Sequence, residues 1–179
     1  MLLVLFSSVL EILANPPFSL YFFSFVFLIP FFIFLLREEK LSRLVWGSLL
    51  WKLIFWVGSL YYGFDFLLAF LKLLLFIGFP IFVFIIKKYI PKNNNILALL
   101  FLIGGGLLLF DYVSNYVWLS FLAANIGTSL ASSPFLGLAS FGGLWGLSIF
   151  TVLMNCLIAY AYLYLRYETH KNLKVIAYL

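Results

Sequence analysis

The sequence predicts an all-α integral membrane protein with six transmembrane helices, an incomplete seventh, and both termini on the cytoplasmic side. Three observations carry that expectation. Hydrophobic residues make up 66% of the 179-residue chain and charged residues only 9%, against roughly 25% charged in an ordinary soluble domain. A soluble protein of this size has too much surface to cover with so few charges. The apolar residues form long runs without the two-residue alternation of a membrane barrel. Finally, the basic residues collect in every second loop.

Six apolar segments follow from the roughly 20-residue length of a spanning helix: 1–14, 18–36, 44–62, 66–86, 96–112 and 144–165. The first lacks a basic leader and a small-residue cleavage site, and Asn15-Pro16-Pro17 follows it. It therefore reads as a span, not a signal peptide. The proline pair stops the helix and forms a tight hairpin into the second segment. Together the segments form one transmembrane domain over 1–179.

Arg37, Lys40 and Arg43 lie between segments two and three; Lys87, Lys88 and Lys92 lie between four and five; Arg166, Lys171 and Lys174 follow six. Nine of the eleven Lys and Arg residues thus fall in alternate loops, and the intervening loops carry none. The positive-inside rule then puts both termini in the cytoplasm. After Lys171 the chain turns apolar again over 172–179, as a short interfacial stretch or the start of a seventh span.

Charges inside a membrane are costly and mark candidate function. Glu11, Asp65 and Asp111 fall at the outer ends of their segments, and Lys72 about two turns further in than Asp65. The four form either a polar outer vestibule that receives a headgroup or peptide, or interfacial charges that pair and hold the bundle. Lys52 sits about two turns in from the cytoplasmic face of segment three, and its long stem is expected to snorkel back to the inner headgroups. Cys156 and His170 are the only residues of their types. They exclude an intrachain disulfide, a multi-cysteine zinc site and a histidine metal cluster. No metal, cofactor or nucleic-acid partner is expected. Cys156 has no His or Lys near it in its segment and reads as a packed small hydrophobe, and His170 as a solvated tail residue.

The stretch of about 113–143 interleaves Asn115, Ser120, Asn125, Thr128, Ser129, Ser132 and Ser133 with apolar residues. It is too polar for a regular span and too apolar for a solvated loop. It reads as a re-entrant or interfacial element on the outer face. Pro134, Gly137, Gly142 and Gly143 then turn the chain into segment six. Gly104-Gly105-Gly106, Gly47 and Gly58 mark close helix packing.

In order along the chain, these features resemble the membrane domain of bacterial apolipoprotein N-acyltransferases. The resemblance begins at Ala14-Asn15-Pro16-Pro17-Phe18-Ser19-Leu20 and continues through Gly47, Gly58, Tyr61 and Tyr62. It is fullest from Asp111 through Gly127-Thr128-Ser129, Pro134 and Leu138-Ala139 to the run from Gly143 to Phe150, with Asn155 at the small polar position of the sixth span. The chain departs from the family at Ser114, where an arginine is usual, at Ser120-Phe121-Leu122-Ala123, where Gly-Phe-Pro-Trp is usual, and at Leu130, where a glutamine is frequent.

The resemblance implies lipoprotein biosynthesis at the bacterial cytoplasmic (inner) membrane. A phospholipid acyl chain passes to the amino group of a lipid-modified apolipoprotein. In the family a nitrilase-like domain with a Glu-Lys-Cys triad performs that chemistry, and no residue set of this chain is expected to supply it. No catalytic residue is therefore assigned. The expected partners are phospholipid, lipid-modified apolipoprotein and a separate nitrilase-like domain. Substrate and lipid contacts are expected at Glu11, Asp65, Lys72, Asp111, Gly127, Ser129 and Pro134. The competing readings are a six-span solute-binding component of an importer and a cell-envelope scaffold.

Overall fold

The computed structural model describes residues 1–58, 73–90, 96–117 and 126–177, with 114–117 and 167–177 described by their backbone alone. Six α-helices run through the described residues: α1 (Leu2–Ala14), α2 (Leu28–Arg37), α3 (Leu41–Gly58), α4 (Gly78–Tyr89), α5 (Ile96–Val117) and α6 (Ala139–Ala177). Three short 3-10 turns, Tyr21–Phe25, Ile126–Leu130 and Pro134–Leu138, interrupt them. There is no strand among the described residues. By length and hydropathy, Ile96–Val113 and Pro134–Arg166 are long and apolar enough to cross a bilayer, and Leu2–Ala14 and Tyr21–Arg37 are shorter apolar helices.

α1 occupies the first expected segment, and α5 begins where the fifth does. The second segment differs from expectation. It is a 3-10 turn followed by a ten-residue helix, not one continuous helix. Pro30 falls in the first turn of α2. It has no N–H to donate to the turn before it, so the helix starts just ahead of it. In the fourth segment, a turn at Ile77 separates helical 73–76 from α4, and Pro80 stands in the first turn of α4.

α5 extends past the expected end at 112 to Val117. α6 holds a break at Gly142 and Gly143, where Gly143 has φ 58°. That left-handed conformation favours glycine, and the regular helix starts at Leu144 as expected. From there the backbone stays helical to Ala177, since no proline or glycine interrupts it after Gly146. Residues 172–177 therefore continue the helical path of α6.

The core is an aromatic column. Phe31 stacks on Trp51 with ring centroids 4.3 Å apart and planes 13° from parallel. Phe76 lies 6.2 Å from Trp51 and 5.3 Å from Phe79, which meets Phe110 at 6.2 Å. Glycines let the helices close on it. A side chain at Gly47 would strike Phe34, one at Gly58 would strike Ile12, and one at Gly106 would strike Phe82. At Gly104 a Cβ would lie 2.7 Å from Val152 and 2.9 Å from Cys156. Gly105 faces open space. Cys156 is buried and its thiol points at the Leu100 carbonyl, 3.4 Å away, which matches a packing role.

Two of the basic loops meet at one end of the bundle. Lys87, in the last turn of α4, donates to the carbonyl of Leu35 at 2.6 Å and to that of Glu38. The ammonium thereby closes the C-terminus of α2, where carbonyls lack helical partners. Met1 lies beside Glu38, Ser42, Arg43 and Trp46 at the same end. Glu38 pairs with Arg43 at 3.7 Å and accepts from the Lys40 amide at 3.2 Å. Desolvation pushes the Glu38 carboxyl up, but the Lys40 amide and the Arg43 charge outweigh it and hold the group below its ordinary range.

Candidate functional site

Three charged side chains are packed inside the bundle, far along their helices from the basic end. Glu11 of α1 is 1% exposed, Lys52 of α3 is 3% and Asp111 of α5 is 2%. The Lys52 ammonium donates to Asp111 Oδ1 at 3.3 Å. Glu11 lies within Coulombic reach of both. The ammonium also sits 5.2, 5.7 and 5.5 Å from the ring centroids of Trp51, Phe55 and Phe76, within the range of cation–π attraction.

This placement corrects the expectation for Lys52. The side chain does not reach back toward the basic end of the bundle. It stays in the interior because α5 offers Asp111 at the same level, and a paired ammonium is far cheaper to bury than a lone one. Of the four residues of the expected vestibule, the structure brings Glu11 and Asp111 together through Lys52. Both carboxylates are enclosed by protein. Asp65 and Lys72 lie outside the described residues, as do Tyr61, Tyr62, Ser120 and Asn125.

A second polar assembly holds the irregular segments against the helices. The Gly127 amide donates to Ser148 Oγ at 2.9 Å, and that hydroxyl donates to the Leu144 carbonyl at 3.1 Å. Ser129 donates to the Ile126 carbonyl at 2.8 Å, and its own carbonyl accepts from Ser24 Oγ at 3.1 Å. Thr128 Oγ1 donates to Asn15 Oδ1 at 2.6 Å, and Asn15 Nδ2 donates to the Glu11 carbonyl at 2.9 Å. Pro134 is exposed and opens the last 3-10 turn, whose entry is capped by Ser133 Oγ accepting from the Phe135 amide at 3.2 Å. Beneath it Phe25, Phe135 and Phe150 form a ring trio with centroids 5.4–6.2 Å apart.

Asn155 in α6 ties this assembly to the second segment. Its Oδ1 accepts from the Leu28 amide at 3.0 Å, at the start of α2. Its Nδ2 donates to the Ser24 carbonyl at 2.6 Å and to the Thr151 carbonyl at 2.9 Å. Irregular backbone at membrane depth needs such internal partners. Ser7 Oγ adds one more, donating to the Phe27 carbonyl at 2.5 Å. The sequence expectation gives Asn155 no part in the site. Its signal is an amide in the middle of an apolar helix, level with a neighbour whose backbone leaves the helical path.

Gly127 is the most constrained position of the turn over 126–130. A Cβ there would strike the Leu144 carbonyl, and would lie 2.7 Å from Ser148 Oγ and 2.9 Å from the Ser148 amide nitrogen. Two of the three obstacles are backbone and have little room to yield. Gly127→Ala is expected to lower stability by about 1–3 kcal/mol, the usual cost of forcing an extra carbon into a packed site. Thermal unfolding of the purified variant in detergent reads this directly; a midpoint equal to wild type would contradict the close approach.

Fold and site together define a helical bundle with polar groups sealed inside an apolar body, the pattern of a membrane protein. Comparison with known families sharpens this. The apolipoprotein N-acyltransferase N-terminal domain matches residues 7–157 of the 179, and the chain belongs to that family. It is an N-acyltransferase-like membrane part, and the family in general implies lipid substrates and a lipoprotein acceptor. No curated protein and no solved structure matches the chain.

Proposed function

We propose that this chain forms the membrane part of a lipoprotein N-acylation system in the bacterial cytoplasmic membrane. It admits phospholipid and lipid-modified apolipoprotein from the outer face, while a nitrilase-like domain outside these 179 residues carries the Glu-Lys-Cys chemistry. The observation that carries the reading is the family match over 7–157.

The proposed orientation, with both termini cytoplasmic, rests on the basic loops. Supporting it, Lys87 bonds to the end of α2, and Met1 lies beside Arg43. The 3-10 turns that hold Gly127, Ser129 and Pro134 then belong to the outer face. Gly127 and Ser129 fix the shape of that face through buried hydrogen bonds, and Pro134 contributes exposed surface to it. In this reading Glu11 and Asp111 support the floor beneath the outer face. Asp65 and Lys72 are its proposed headgroup contacts.

The test is acyl transfer from a phospholipid to a peptide with a lipid-modified N-terminal cysteine, followed by mass spectrometry. Membranes containing this chain alone are expected to give no acylated peptide. Adding a nitrilase-like domain in trans is expected to give product only when the chain is present. Product from the chain alone would overturn the division of labour, and product from the added domain without the chain would remove its role.

A further inference from the structure

The basic end of the bundle holds a cleft of about 390 Å³, lined by Met1, Glu38, Ser42, Arg43 and Trp46. That size suits a small-molecule group such as a phosphorylated headgroup. The Arg43 side chain is 65% exposed, and its contact with Glu38 is 3.7 Å long. A pair that long is not a good hydrogen bond, and exposed pairs contribute little. The guanidinium therefore keeps donors for a better acceptor, and its planar fork matches a phosphate. Ser42 brings a hydroxyl to the same cleft, and Lys40 is exposed three residues before Arg43. The Glu38 carboxylate is already engaged, accepting from the Lys40 amide at 3.2 Å and facing Arg43. It steadies the guanidinium from one side and leaves the other side to a ligand.

The apolar surroundings separate a lipid from a soluble anion. Trp46 is 68% exposed, and Tyr89, at the same end of the bundle, is 77% exposed. Amphipathic rings of this kind favour the headgroup level of a bilayer. Away from the cleft, α1 and α3 pack together: Ser8 Oγ donates to the Trp51 carbonyl at 3.3 Å, and Ile12 closes on Gly58. Leu2, Leu5, Phe6 and Val9 of α1 are exposed, and their spacing puts them on one helix face. Trp46, Leu53 and Val57 of α3 are exposed at the same kind of spacing. Met1 and Trp46, which line the cleft, head these two stripes. A charged head carrying acyl chains matches both the cleft and the stripes, whereas a soluble anion matches the cleft alone.

We propose that this cleft binds the headgroup of an anionic phospholipid. The phosphate lies on Arg43 and Ser42, Lys40 adds positive charge at the rim, and the acyl chains run along the apolar stripes of α1 and α3. Met1 belongs to the cleft, while Asn15, just past the other end of α1, bonds to Thr128. The site is therefore at the opposite end of α1 from the turn over 126–130, apart from the face proposed to admit the reacting lipid. The inference holds whichever leaflet this end faces and does not depend on acyl transfer.

Native mass spectrometry of the full chain tests it, with equimolar phosphatidylglycerol and phosphatidylcholine of matched acyl chains. Both lipids carry a phosphate, and only the first has a net negative charge. The chain is expected to retain phosphatidylglycerol in preference. Arg43→Gln is expected to lower that preference about fivefold, the effect of one basic residue at an anionic surface, and Arg43→Gln/Lys40→Gln to abolish it. Arg43 and Lys40 are exposed, so their substitution is expected to leave the fold intact. Arg166→Gln, an exposed cation outside the cleft lining, is expected to leave the preference unchanged. Equal retention of the two lipids, or a preference that survives Arg43→Gln, would overturn the proposal. So would an equal loss in Arg166→Gln, which would point to a diffuse basic field. Equimolar inorganic phosphate is expected to displace no lipid; displacement would make this a site for a soluble anion instead.

Discussion

Lys52→Met is expected to destabilise the bundle by about 3–5 kcal/mol, the cost of leaving one partner of a buried ion pair without the other. The methionine fills most of the volume of the lysine stem, so little of the loss comes from a cavity. What remains is Asp111, 2% exposed and 3.3 Å from where the ammonium stood, with Glu11 close by. The aromatic rings around Lys52 also lose their cation.

The double variant Lys52→Met/Asp111→Leu is expected to recover part of the loss, because removing both charges removes the desolvation cost with them. Unfolding in mixed detergent, read by helical circular dichroism, gives the four corners of the cycle. Single variants whose effects simply add in the double variant would show that the pair is not coupled. The coupling is expected to change little between low and high salt, since a buried pair is poorly screened.

Asn155→Leu is expected to cost about 2–4 kcal/mol. Leucine is close in size, so the effect isolates the hydrogen bonds. Two buried backbone groups lose their side-chain partner, the Leu28 amide and the Ser24 carbonyl, at about 1–3 kcal/mol each. The total is trimmed because polar groups in a membrane find substitutes even when helices separate. The Thr151 carbonyl loses less, since it belongs to the regular path of α6. The measurement is again the unfolding midpoint in detergent. A variant within about 0.5 kcal/mol of wild type, the range of neutral surface changes, would show that the amide does not hold the start of α2.

Much of this architecture is legible in residue order, and the reasons differ from element to element. Asn15-Pro16-Pro17 ends α1 where helix-stopping chemistry says it must. Gly142-Gly143 breaks the backbone just before Leu144 because the positive φ there suits glycine. The 3-10 turn over 21–25 is hidden because a phenylalanine-rich run has the same hydropathy in any backbone conformation. What breaks the helix is Pro30, together with the side-chain acceptor that Asn155 of α6 offers the Leu28 amide.

Lys52 escapes a reading from residue order for a related reason. Depth along one helix identifies a charge that is able to snorkel, but its real partner, Asp111, lies 59 positions away in sequence. Glu11 and Asp111 are legible as buried acids by type and position. Their convergence on one ammonium is not, because it depends on how α1, α3 and α5 pack.

The turns over 21–25 and 126–138 also have a consequence for the order in which the molecule loosens. Inside α5 and α6 each backbone bond is backed by its neighbours along the helix. The turns are fastened to the bundle by a few side-chain bonds, through Asn15, Ser24, Asn155 and Ser148. One of these bonds, from Ser24 to Ser129, runs between the two turns themselves, so releasing one slackens the other. The two turns are therefore expected to loosen together rather than one at a time.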